Sequence, residues 1–220
     1  FEDTVAAGTL ALANSVAQSG KLVSFEDSVT VGTGMTVGTG AYDISFTGAA
    51  NTIAGNTTFG TTGTVTLGDA DTDTIEFTGG LTATAATEVV TAGTVETASA
   101  AMSLGTVRMT ADTTLNTVNS PGASITIGTL SGTSDLVITA GSGTLTFEGD
   151  VSAATVDAEA ATINIDGGTD AVVTTGTQRY TGSTVLGANT SLAAIDGATL
   201  STIRFEGTLD SDDNGATPAV

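Results

Sequence analysis

Residues 143–151 read GTLTFEGDV: hydroxyl and apolar side chains alternate from Thr144 to Phe147, and the chain then turns at Gly149. Nearly the same phrase stands at 73–81 (DTIEFTGGL) and at 201–209 (STIRFEGTL). Period-two alternation is the pattern of a strand with one buried and one wet face. A glycine directly after it lets the backbone turn without a Cβ clash. The same alternation recurs in SVTV (28–31), DISF (43–46), TVTL (64–67), TIEF (74–77), VRMT (107–110), SITI (124–127) and TINI (162–165). The strands are short and closely spaced, which leaves no room for helical crossovers. Two Ala-rich stretches, 10–18 (LALANSVAQ) and 151–162 (VSAATVDAEAAT), are the best helical candidates, yet both also alternate and read as strands and turns.

The aromatic of each phrase falls at Phe1, Phe25, Phe46, Phe77, Phe147, Tyr180 and Phe205, with gaps of 24, 21, 31, 70, 33 and 25 residues. The gap of 70 reads as two or three units in which an aliphatic side chain replaces the aromatic, with ITIGTL and LVITAG inside it. Irregular periods of about 20–30 residues, each with several short strands, define an all-β fold of the parallel β-helix, or β-solenoid, kind. A β-sandwich would use longer antiparallel strands and Asn-Gly or Asp-Gly hairpins, which are scarce here. In a solenoid, equivalent residues of successive coils stack about 4.8 Å apart. Phe25, Phe46, Phe77, Phe147, Tyr180 and Phe205 are therefore expected to form a core ladder. About nine coils make a rod on the order of 45 Å long, and residues 1–220 are expected to be one such domain or a segment of a longer solenoid.

Composition narrows function by exclusion. Twenty-four acids face four bases, Lys21, Arg108, Arg179 and Arg204, for a formal charge of −20. Nucleic acid is excluded as a partner because phosphate needs neutralising Lys and Arg. No apolar run is long enough for membrane insertion as a helix. The chain has no His and no Cys, so the common nucleophile–base pairs are missing and no enzyme is expected. A paired-carboxylate glycosidase would need two acids set apart by their neighbours, and none are. The chain begins at Phe1 without a Met and ends on ATPAV, and it reads as a piece of something longer.

Two acidic loops are candidates for calcium. Asp210, Asp212 and Asn214 alternate ahead of Gly215, and Asp69, Asp71 and Asp73 alternate ahead of Glu76. Alternate carboxylates can converge on a hard cation that takes six to eight oxygens; otherwise each is a solvated acidic turn. Arg179 and Arg204 each precede a phrase aromatic, so they are expected to point outward and pair with acids of adjacent coils. Thr-x-Thr triplets at 64–66 and 82–84 raise the idea of a flat, ice-binding hydroxyl array, but their spacing in sequence is irregular.

The segment 173–192 (VTTGTQRYTGSTVLGANTSL), followed by 203–213 (IRFEGTLDSDD), resembles the repeats of very large bacterial exoproteins of the filamentous-haemagglutinin and autotransporter-passenger type. Gly176, Thr177, Gln178, Tyr180 and Gly182 match one phrase of that pattern. Leu186, Gly187, Ala188, Asn189, Thr190 and Leu192 match a second, and Ile203, Phe205 and Gly207 a third. The resemblance implies a right-handed β-helix, an extracellular or bacterial cell-surface location, and an adhesive or structural role. The expected partner is a further copy of the chain, stacked head to tail, or the rest of a longer polypeptide. The alternative is a carbohydrate-binding fibre module that recognises surface glycans.

Overall fold

A computed structural model describes residues 1–12, 20–117, 122–187, 189–195 and 201–211. Twenty strands run from Val5–Leu12 to Leu209–Ser211, with no helix among the described residues. They pair in parallel and stack as a β-solenoid of about 9 turns. Strands fall at Asp43–Phe46, Thr64–Leu67 and Thr74–Phe77, where the alternation is cleanest. The 151–162 stretch is strand as well, split between Val151–Ala153 and Thr155–Ile165. Of the 10–18 stretch, residues 10–12 end a strand and the rest lies outside the described residues.

Each coil lays strand backbone on three faces in turn. On the first, Ile44, Val65, Val89 and Val107 are register partners of successive coils. On the second, Ile75, Val95, Leu115, Ile138, Ala158, Tyr180 and Phe205 form one column. On the third, Leu81, Met102, Ile125, Leu145 and Ile163 do the same. Nearly all of these side chains are fully buried, and together they make one continuous hydrophobic core. The repeat length varies: 20 residues separate Ile75 from Val95, and 25 separate Tyr180 from Phe205. The surplus is taken up at the corners, so strand register survives an irregular sequence period.

This arrangement corrects the single aromatic ladder. Phe1, Phe25 and Phe46 stack on the first face with ring centroids 4.9 Å apart. Tyr180 and Phe205 stack on the second at 5.2 Å. Phe77 is the register partner of Ile53 and Thr97, on the second face but in a different column from Tyr180. Phe147 sits on the third face between Ile127 and Ile165. The gaps of 31 and 33 residues therefore include moves between columns, and the gap of 70 spans about three coils together with a move from the second face to the third. Phe59, which carries no such phrase, completes the core between faces: it meets Phe46 at 6.5 Å and Phe77 at 6.0 Å, both edge-on, a favoured aromatic geometry.

The few polar groups inside are mostly bonded, as burial requires. Asn51 accepts from the Val29 amide at 3.0 Å and donates to the Gly48 carbonyl at 2.7 Å. Gln178, fully buried, donates to Thr174 Oγ1 at 3.1 Å and to the carbonyls of Ala193 at 2.8 Å and Val172 at 3.3 Å. Its Oε1 accepts the Tyr180 hydroxyl at 3.0 Å. Burial also raises the Tyr180 pKa above that of an ordinary phenol, so the hydroxyl stays a donor. Thr57 and Thr184 differ: their buried hydroxyls have no partner.

Candidate functional site

Several of the acids tie one coil to the next. The Asp43 carboxylate accepts from the Thr64 amide at 2.7 Å. Asp112 accepts from the Asp135 amide at 3.0 Å, and Asp135 in turn accepts from the Thr155 hydroxyl at 2.8 Å. Each bond joins a corner to the coil above or below it.

The 69–73 loop is closed by its own backbone. Asp73 is buried, and its Oδ2 accepts from the amides of Asp69 at 2.9 Å and Ala70 at 3.1 Å. These bonds close the turn on one oxygen of Asp73, whose side chain also lies against that of Asp69. Among the described residues no group of three or more acids is placed to hold a metal. Burial, followed by the hydrogen bond and charge of Asp73, raises the Asp69 pKa. Asp210 is exposed and accepts from the Ser211 amide at 2.8 Å. Asp212 and Asn214 lie outside the described residues.

Arg179 and Arg204 point outward and pair with acids, as the phrase pattern implies. Arg179 makes a bidentate contact with its register partner Asp157, at 2.9 and 3.0 Å, and reaches Glu206 at 3.3 Å. Arg204 meets Glu206 at 2.9 Å, and Arg108 meets Glu88 at 3.0 Å. The Asp157 hydrogen bond and charge raise the Arg179 pKa further. Such exposed pairs are screened by solvent and add little to stability. The second face also stacks Glu96 directly on Glu76. Burial first, and then the Glu76 charge, raises the Glu96 pKa.

The third face is different. Its outward ladder runs Thr58, Thr82, Ser103, Thr126, Thr146 in parallel register. The hydroxyls of the first four make no hydrogen bond among the described residues. The irregular spacing that argues against a hydroxyl array is thus removed by folding. At the corner beside this ladder lies a groove of about 370 Å³, lined by Thr84, Gly105, Thr106, Gly128, Thr129 and Glu148. A Cβ on Gly128 would stand 2.8 Å from the Gly105 carbonyl oxygen, and one on Gly149 2.6 Å from that of Gly128. The groove floor is therefore bare backbone by necessity. Glycine spacing of this kind was present in the sequence, but the groove becomes visible only once the coils are aligned.

No helix of the described residues is long and apolar enough to cross a membrane. The fold defines a β-solenoid repeat protein, acidic overall, with hydroxyl-rich outward columns on its first and third faces. Comparison with family models, with curated proteins and with solved structures gives no match.

Proposed function

We propose that the chain is a non-catalytic structural or adhesive rod of an extracellular or bacterial-surface protein. It works by extending a parallel solenoid into a further one, either the rest of a longer chain or another copy stacked head to tail. One observation carries the reading: the columns stay in register and end on apolar residues in the outermost coils described. Val5 belongs to the second face and pairs with Val29, while Phe205 ends the Tyr180 column of that face. Leu10 pairs with Met35 on the third face, where Leu209 pairs with Thr184. A coil added in register would thus set apolar groups on apolar groups and pair the open strand edges. A heterologous contact of this kind does not close, so it propagates.

The resemblance of the 173–213 segment to filamentous-haemagglutinin-type repeats supports the surface location and the adhesive role. Calcium, through Asp210, Asp212 and Asn214, is the candidate link at a junction in so acidic a rod. Negative-stain electron microscopy of the purified chain, with calcium and with a chelator, tests the reading. Expected are rods about 45 Å long, or fibres with that repeat; fibres seen only with calcium would assign the 210–214 loop to the junction. Compact round particles in both conditions would refute it.

A further inference from the structure

We infer that Glu76, Glu96 and Asn116 form a proton-operated clasp across three coils of the second face. On mild acidification Glu96 takes up a proton and donates a hydrogen bond to the buried amide oxygen of Asn116. The inference concerns cohesion between coils and is independent of what the rod adheres to.

Register brings the three side chains together. Glu76 and Glu96 are partners on adjacent coils, and Glu96 is in turn the partner of Asn116. Each follows a buried residue of its strand, Ile75, Val95 or Leu115, so all three leave the same side of the sheet. Adjacent coils set them about 4.8 Å apart, a gap that a side chain as long as glutamate spans with one hydrogen bond.

Two deficits meet in this column. Asn116 Oδ1 is sealed from solvent and has no hydrogen-bond donor, although the residue as a whole is half-buried. An orphaned acceptor of this kind is costly. On the coil below, two half-buried carboxylates stack with no hydrogen bond or ion pair among the described residues. Like charges so placed resist ionising together. An ionised carboxylate only accepts and cannot serve Asn116, whereas a protonated one has an O–H to donate. One proton on Glu96 thus meets both needs: it cancels the repulsion from Glu76 and supplies the donor that Asn116 lacks. Glu96 is the holder because it alone is the register partner of both. Burial, and then the Glu76 charge, hold its pKa above the ordinary glutamate range, and the Asn116 acceptor acts in the same direction.

No other charge intervenes. Thr74, Thr94 and Thr114 flank the three groups on their own strands. The column continues below through Thr52 and above through Thr139. The next acid, Glu159, stands three coils from Glu96, about 14 Å away. Arg179 is committed to Asp157 and Glu206, and Arg108 to Glu88. Because the fold raises the Glu96 pKa, the stabilisation is complete below the unfolded pKa and is lost as the pH rises through the folded one. Coils of a solenoid touch only their neighbours, so the tightening is confined to the coils that the clasp joins.

The test is hydrogen-exchange mass spectrometry of the full chain at pH 7 and at about pH 5, read as protection factors so that the pH dependence of intrinsic exchange drops out. Peptides spanning 74–117 are expected to gain about fivefold in protection on acidification, the worth of one ordinary hydrogen bond; peptides spanning 155–186 should gain far less. Glu96→Gln carries a permanent donor and no charge, so its protection should be high at both pH values. Asn116→Leu removes the acceptor and should gain about twofold at most, while Glu159→Gln should behave as the parent does. An Asn116 amide turned the other way, with its N–H on an ionised Glu96, would make protection fall on acidification. That outcome would overturn the inference, as would an equal gain in both regions or a full gain in Asn116→Leu. Calcium at pH 7 reproducing the gain in 74–117 alone would also overturn it, since a cation would then stand where the proton is placed.

Discussion

Replacing Gln178 with Leu removes the polar centre of the last described coils while keeping most of the volume. Gln178 is fully buried, donates to three acceptors and accepts a hydrogen bond from the Tyr180 hydroxyl at 3.0 Å. In the variant the Tyr180 hydroxyl has no acceptor in a site sealed from water, and the Ala193 carbonyl loses its 2.8 Å donor. An orphaned buried group costs about 1–3 kcal/mol, so Gln178→Leu should destabilise its coils by about 2–4 kcal/mol. Tyr180→Phe leaves one Gln178 acceptor unsatisfied and should cost about 1–2 kcal/mol. The double variant removes both ends of the bond, so its cost should fall short of the sum by about 1–2 kcal/mol, within the range of coupled neighbours.

Because each coil of a solenoid touches only its neighbours, the loss should be local. Hydrogen-exchange mass spectrometry is therefore the assay, read on peptides spanning 172–205 and on others spanning 43–77. Protection should fall in the first region and hold in the second. Additive losses in the double variant, or an equal loss of protection in both regions, would refute the reasoning.

Four further outcomes follow from the same structure. Thr57→Val and Thr184→Val each delete a buried hydroxyl that has no partner and should raise stability by about 1 kcal/mol in urea melts. Phe59→Ala, which empties the space between Phe46 and Phe77, should cost about 3–5 kcal/mol in the same melts. Asp73→Ala frees the amides of Asp69 and Ala70 and should cost about 2 kcal/mol, since a charged acceptor is lost. Glu96 binds its proton more tightly in the fold than in the unfolded chain, because burial and Glu76 raise its pKa. Its charged form is therefore a liability above the folded pKa, and that liability is relieved as the pH falls through it. Glu96→Gln should raise the melting temperature at pH 7, and the difference from the parent should shrink on mild acidification.

Fold class was legible because alternation is a local property. DISF, TVTL and TIEF each carry the in–out pattern on their own, and each is a strand with those very bounds. Which column a residue joins was not legible, because corner lengths decide it. Phe46 and Phe77 look like consecutive rungs, yet they stand on different faces. Phe59 lacks the aromatic-acid-glycine phrase of the other rungs, although NTTFGT alternates as well as any other strand. The acidic loops show the same limit at the candidate site. Spacing alone equates Asp69, Asp71 and Asp73, but only geometry reveals that Asp73 is buried and accepts two amides of its own turn. The neutral ladder was hidden for the reverse reason: its members lie 20 to 24 residues apart and meet only through register.

The parallel register is the central claim, and the absence of native cysteine allows it to be tested by engineered cross-links. Ser103 and Thr126 are outward register partners on adjacent coils, about 4.8 Å apart and within disulfide reach. Ser103 and Thr146 lie two coils apart, about 10 Å and beyond that reach. The measurement is the rate of intramolecular disulfide formation in S103C/T126C against S103C/T146C under mild oxidation of the folded chain. Rapid closure of the first pair and none of the second is the predicted result. Equal rates, or preferential closure of the second pair, would contradict the solenoid register on which the whole account stands.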